Sequence, residues 1–131
     1  MDKVDRAILD VLRQQARMSW QDIGRRVHLS GQAVAMRVQR LQDEGVITGF
    51  HAHIAAPGRC LVTVFMNSTR FDDFERFIRA APEVVEASKT AGEGCYHLVV
   101  EPEETAHLDV FLTSLLTYGT YRVHSVVRNI K

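Results

Sequence analysis

The stretch from Ser19 to Phe50, SWQDIGRRVHLSGQAVAMRVQRLQDEGVITGF, leaves the chain few folding choices. Two serines punctuate it. Ser19 is placed to cap a helix starting at Trp20, with Asp22 as a short version of the capping-box acid. Ser30 caps a second, longer helix, which Gly45 followed by Val46 and Ile47 brings to an end. Between them His28 and Leu29 allow only a sharp reversal, with Leu29 plugging the core beneath. Val34, Val38 and Leu41 recur at i, i+4, i+7 and form the buried stripe of the second helix. A strand is predicted to run on from Val46. This is the layout of a winged helix-turn-helix, whose second helix fits a DNA major groove.

At about 100° per residue, Gln32, Met36, Gln39 and Arg40 point away from the stripe, with Ala33 and Arg37 on one flank. That face matches the chemistry of base reading. Arginine donates a fork to guanine, glutamine pairs with adenine, and Ala33 tolerates close approach to a thymine methyl. Ser30, Gly31 and Gln32 sit where the first free amides of a helix favour phosphate. From Ser19 to Gln42 there are four arginines (Arg25, Arg26, Arg37, Arg40) against one acid, Asp22. Individually these are equally well read as solvated charges, or Arg37 as a partner for an acid of the first helix. Together they predict contacts to double-stranded DNA from Ser30, Gly31, Gln32, Ala33, Met36, Arg37 and Arg40, with Trp20 and Arg25 from the preceding helix. Trp20 either packs against the DNA backbone or roofs the small core. His51 and His53 either approach phosphate or are simply exposed.

The 131 residues, 46% apolar and 24% charged, suit one soluble domain or two small ones. Net charge is zero, but residues 1–50 hold eight Lys/Arg and six Asp/Glu, giving +2, and residues 51–131 hold eight and ten, giving −2. One copy should therefore bind DNA weakly, and an assembly should multiply the contacts. No apolar run approaches a membrane span and MDKVDRAILD has no signal-peptide profile, so a cytoplasmic, nucleoid-associated protein is expected. Cys60 and Cys95 lack metal-ligand spacing and read as small buried residues. No metal or cofactor is expected.

A first helix is predicted from about Lys3 to Gln14, with Val4, Ile8, Val11 and Leu12 as its stripe and Asp2 or Asp5 supplying negative charge at its start. The predicted DNA-binding domain spans residues 1–54, and AAPGR (55–59) is a turn-rich linker. From residue 60 the period changes. CLVTVFMNS reads as a strand covered on both faces. Phe71, Phe74, Phe77, Ile78 and Ala81 give an amphipathic helix stopped by Pro82, and VVEASKT and CYHLVVE are strands joined through Ala91-Gly92-Glu93-Gly94. A helix opening at Pro102–Thr105 and a last strand over 121–130 complete a ferredoxin-like β-α-β-β-α-β sandwich over 60–131, and the whole chain is of the α+β class. In such a fold the helices cover one sheet face. Cys60, Val62, Val64 and Met66 fall on one side and Leu61 and Phe65 on the other, while Val126 and Ile130 add to an apolar second face, which predicts pairing of subunits sheet to sheet.

The chain resembles the Lrp/AsnC family of bacterial and archaeal transcription regulators, the feast/famine proteins. DRAILDVLRQQARMSWQDIGRRVHLS, the helix ending RVQRLQDEGVI, and the Ala91-Gly92 hairpin carry the resemblance, which covers essentially the full length. It implies a DNA-binding domain, and a second domain that senses a ligand and drives assembly into dimers and often tetramers or octamers. It also implies an effector, commonly an amino acid, near the hairpin at Gly92, Glu93, Gly94, Cys95 and Tyr96. Two departures stand out. Cys95 occupies a position where an aspartate is usual, and a thiol offers an ammonium group no counter-charge; some members carry a similar Ala-Gly-x-x-Cys-Tyr sequence. The linker is also several residues shorter than usual. Two other roles compete with gene regulation. One is a DNA-organising protein that wraps or bends duplexes. The other is an enzyme built on Cys95 and His97, although residues two apart on a strand lie about 7 Å apart, too far for a hydrogen bond.

Overall fold

In the computed structural model, which describes residues 1–131, the chain divides into two units, Met1–His53 and Ile54–Lys131. The first holds three helices: α1 (Lys3–Gln14), α2 (Trp20–Val27) and α3 (Gly31–Asp43). Each starts on a side-chain cap. Asp2 and Asp5 form a reciprocal capping box at α1, Ser19 Oγ accepts from the Asp22 N–H (3.1 Å), and Ser30 Oγ accepts from the Ala33 N–H (3.1 Å). The reversal between α2 and α3 uses His28 in the left-handed region (φ 60°) and Gly24, where a Cβ would collide with the Leu29 carbonyl. A Schellman ending closes α3. Gly45 (φ 73°) donates to the Gln42 carbonyl, and Val46 to that of Leu41. Ile8, Leu12, Ile23, Val34 and Val38 form the core, with Leu29 packed against it as the sequence predicts.

The strand predicted from Val46 is not formed: residues 46–59 hold no strand. A strand is defined by its ladder, and this unit offers the segment no second strand to pair with. Val46 and Phe50 are each 45% exposed and Ile54 71%. The helix-turn-helix is present, but the wing is not.

The second unit is β1 (Cys60–Met66), α4 (Phe71–Ala80), β2 (Val84–Lys89), β3 (Tyr96–Val100), α5 (Thr105–Leu115) and β4 (Gly119–Ser125). The strands form one antiparallel sheet of order β2-β3-β1-β4, the ferredoxin-like arrangement. Register places Val62 between Leu98 and Val123, and Val64 between Tyr96 and Tyr121. On that face α4 and α5 lay Phe74, Ile78, Phe111 and Leu115 over the buried Cys60, Val62, Val64, Tyr96, Leu98 and Val100. Aromatic contacts knit the layer, with Phe74 to Tyr96 at 4.6 Å between ring centroids and Phe77 to Tyr118 at 5.4 Å.

The last strand ends earlier than predicted. Cys60, the first residue of β1, faces Ser125, so beyond it β4 has no ladder to join, and only the Val126 N–H reaches back to Arg59 O (2.9 Å). Val127 and Ile130 are 94% and 81% exposed and lie outside the sheet, contrary to the two-faced strand read over 121–130. The uncovered sheet face carries Leu61 beside Val99, then Thr63 between His97 and Arg122, then Phe65 beneath the Arg122 guanidinium (5.2 Å). It is thus a mixed surface with an apolar strip. No helix is long and apolar enough to cross a membrane.

Candidate nucleic-acid interface and hairpin

α3 is held by its inner stripe, Val34, Val38 and Leu41, none more than 1% exposed. What the stripe leaves outward is Gln32, Gln39 and Arg40, all exposed, and Met36, 69% exposed. Ser30 is spent on its cap, and Gly31 and Ala33 are half-buried; a Cβ on Gly31 would press on the Gln21 backbone at 3.2 Å. The Gln39 amide donates to Asp43 (2.9 Å).

The two arginines of α3 do not project as helical geometry alone predicts. Arg37 Nη1 donates to Asp2 (2.7 Å) and to Asp5 (3.0 Å), and Arg40 Nη2 donates to the other oxygen of Asp5 (2.7 Å). The cause is Asp5. It lies in the α1 stripe three residues before Ile8, its side chain 1% exposed, and a carboxylate so placed needs counter-charge. Burial pushes the Asp5 carboxyl up, yet the Asp2 N–H and the two guanidinium groups outweigh it and leave its pKa lowered. Asp2 is held down to about 2, first by the Arg37 hydrogen bond and then by the Asp5 N–H. The same contacts, Asp2 foremost, raise Arg37. The reading of Arg37 as a partner for an acid of α1 therefore describes its geometry, and Arg40, expected on the open face, shares the same acid. An acid on an apolar stripe was the sequence sign of this network.

Arg25 is paired with Asp22 (2.6 Å), and Trp20 at the head of α2 is 38% exposed, half roof and half surface. Next to them an open cleft is lined by Gln15, Arg17, Met18, Ser19, Asp22, Arg25 and Arg26. Three arginines against one carboxylate make it a basic recess. Arg17, which the helix-by-helix reading passed over, belongs to it because the loop after α1 turns back toward α2.

In the second unit, the hairpin from Thr90 to Cys95 is closed by Thr90 N–H to Cys95 O (3.0 Å) and by Cys95 N–H to Val64 O (2.8 Å). The Glu93 carboxylate, 73% exposed, accepts from Arg122 (2.7 Å). Gly92, Glu93, Gly94 and Cys95 thus share one loop. Tyr96 leaves it: its ring is buried under α4 and its hydroxyl donates to Glu75 (2.7 Å). Burial, then that carboxylate, pushes the Tyr96 phenol up to about 12. His97 sits against Thr63 Oγ1 (3.5 Å) and Glu93 O (3.4 Å). No group of three or more His, Cys, Asp or Glu side chains gathers as a metal site.

Residues 1–42 match the model of the AsnC-type helix-turn-helix domain, and residues 59–131 that of the Lrp/AsnC ligand binding domain. The HTH-type transcriptional regulator LrpB of Bacillus subtilis is 32% identical over 136 residues, covering 100% of this chain and 91% of the relative. The solved structure of LrpC of B. subtilis superposes with a TM-score of 0.86 at 24% identity, over 100% of this chain and 97% of that one. A transcriptional regulator of Neisseria meningitidis, solved as an L-Met complex, does so with a TM-score of 0.84 at 25% identity, over 100% and 92%. Two domain models in this order, over a helix-turn-helix and a ferredoxin-like sandwich, have one reading: the chain belongs to the Lrp/AsnC family of DNA-binding transcription regulators.

Proposed function

We propose that this regulator binds duplex DNA as a homodimer or larger assembly and alters its binding in response to an amino acid or a similar small metabolite. α3 enters the major groove, with Gln32, Ala33 and Met36 facing the bases and Ser30 and Gly31 at its N-terminus beside phosphate. Trp20, Arg17, Arg25 and Arg26 meet the phosphates, which carry most of the salt-dependent affinity. Subunits pair through the uncovered sheet face, where Leu61, Val99 and Phe65 would otherwise remain in water. The observation that carries the reading is the open face of α3, capped at Ser30 and presenting hydrogen-bonding and apolar groups side by side.

The effector is proposed at the hairpin, supported by the L-Met complex of the Neisseria relative. Glu93, held by Arg122, supplies the acid that Cys95 lacks. As a regulator that acts on DNA, the protein is proposed to work on the nucleoid in the cytoplasm, a reading supported by its AsnC-type helix-turn-helix domain. The test is duplex binding to the protein's own upstream region, with random duplex as competitor and an amino-acid panel, beside light-scattering mass. Selective retention by an oligomer, shifted by at least one amino acid, supports the reading. A monomer that ignores duplex at low salt contradicts it.

A further inference from the structure

We infer that the base-reading face of α3 carries no charge: Gln32 and Met36 select A·T pairs, while Arg37 and Arg40 hold the helix to α1 and read no base. The inference rests on the DNA-binding reading above and adds its chemistry. A guanidinium reads guanine by donating two hydrogen bonds to O6 and N7. In this protein both guanidinium groups of α3 are already donating, to a carboxylate that is 1% exposed. For Arg40 to turn to a base it must leave Asp5, whose side chain is 1% exposed, with one cation fewer. Arg37 is anchored twice, by Asp2 and Asp5, with its side chain only 28% exposed.

The groups left free are neutral. Met36, 69% exposed, is the most open apolar side chain on α3, and beside it Gln32 is exposed one turn nearer the N-terminus. Gln39 is one turn on, its amide already donating to Asp43. An amide pairs with adenine, accepting from N6 and donating to N7, and a thioether packs on the thymine C5 methyl. Neither group matches the two acceptors of guanine with two donors in a fixed fork. The sequence preference of this helix is therefore for adjacent A·T pairs, and the helix is aimed by the Asp2–Asp5–Arg37–Arg40 network.

The experiment selects duplexes from a random pool with the full-length protein and then alters single atoms of the selected bases. Replacing thymine by uracil removes only the methyl, and 7-deaza-adenine and 7-deaza-guanine remove only N7. The expected result is about a fivefold to tenfold loss of affinity for uracil at one position and for 7-deaza-adenine at its neighbour, with 7-deaza-guanine silent. The uracil effect should vanish in Met36→Ala and the 7-deaza-adenine effect in Gln32→Ala. A 7-deaza-guanine loss that disappears in Arg40→Gln would overturn the inference, because the arginine would then have left Asp5 to read a base. The unmodified protein alone decides if a variant fails to fold, since guanine interference is measured without it. A pool retained without enrichment overturns the base-reading inference but keeps DNA binding; loss of all duplex retention removes both.

Discussion

Replacing Asp5 by alanine should unfold the first unit more readily than any other single change of a charged residue in α1. Asp5 accepts three hydrogen bonds, from the Asp2 N–H, Arg37 and Arg40, and its side chain is 1% exposed. Hydrogen bonds to charged groups contribute about 1.5–3 kcal/mol each, and breaking a fully buried pair costs about 3–5 kcal/mol. Two features lower the figure. Arg40 is 50% exposed and recovers water, and Arg37 keeps Asp2 at 2.7 Å. The remaining cost is about 2–3 kcal/mol, mostly from Arg37 and the small void. Asp2→Ala is the control: its side chain is 54% exposed, and the loss is that of a helix cap, about 1 kcal/mol. The chain has one tryptophan, Trp20, on α2, so its fluorescence during urea titration follows the first unit alone. With a slope near 1 kcal/mol per molar urea for so small a unit, Asp5→Ala should lower the midpoint by about 2–3 M and Asp2→Ala by about 1 M. A shift below about 0.5 M for Asp5→Ala, or a larger one for Asp2→Ala, would refute the claim that the buried carboxylate organises the helices.

Acid should act on the same network. Asp2 and Asp5 both have folded pKa values below their ordinary 3.8, so their stabilisation is complete above that pH and is lost as pH falls through the folded values, from about 3.8 toward about 2 for Asp2. Trp20 fluorescence should report loosening in that window, and Arg37→Gln should flatten it. In the second unit the Tyr96 phenol, raised to about 12, stabilises the fold fully below its ordinary value near 10, and this contribution is lost as pH rises through 12. Ultraviolet titration should show one late tyrosinate step that Tyr96→Phe removes. Val64→Asp puts a carboxylate at a position with 0% exposure in the middle of the sheet and should unfold the second unit, read by loss of near-ultraviolet circular dichroism; a folded protein would overturn the strand register.

The serines at 19 and 30, the glycine at 45 and the Val34–Val38–Leu41 spacing made the helix-turn-helix legible because caps and stripes are local, and local chemistry is written in order along the chain. The sandwich was legible for the same reason: Phe74 and Ile78, Phe111 and Leu115 repeat at helical spacing, and Val62 and Val64 alternate. Four features were not. The wing needs a partner strand, and Val46 to His53 carries no mark of whether one exists. The end of β4 at Ser125 is set by where β1 begins, a fact about another segment. Arg40 pointed outward by rotation about the helix axis, but a side chain that long goes where the charge is, and the charge lay 35 residues earlier in Asp5. Tyr96 likewise read as part of the hairpin until strand alternation turned it under α4.

The central claim, that the open face of α3 docks on duplex DNA, is tested most directly through Met36→Glu, with a fluorescent duplex from the protein's own upstream region and anisotropy as the readout. Met36 is 69% exposed, so the substitution should leave the Trp20 urea midpoint and the elution volume unchanged. A carboxylate against the groove should then reduce affinity at least tenfold at low salt. Unaltered affinity in a folded Met36→Glu protein would show that DNA meets some other surface.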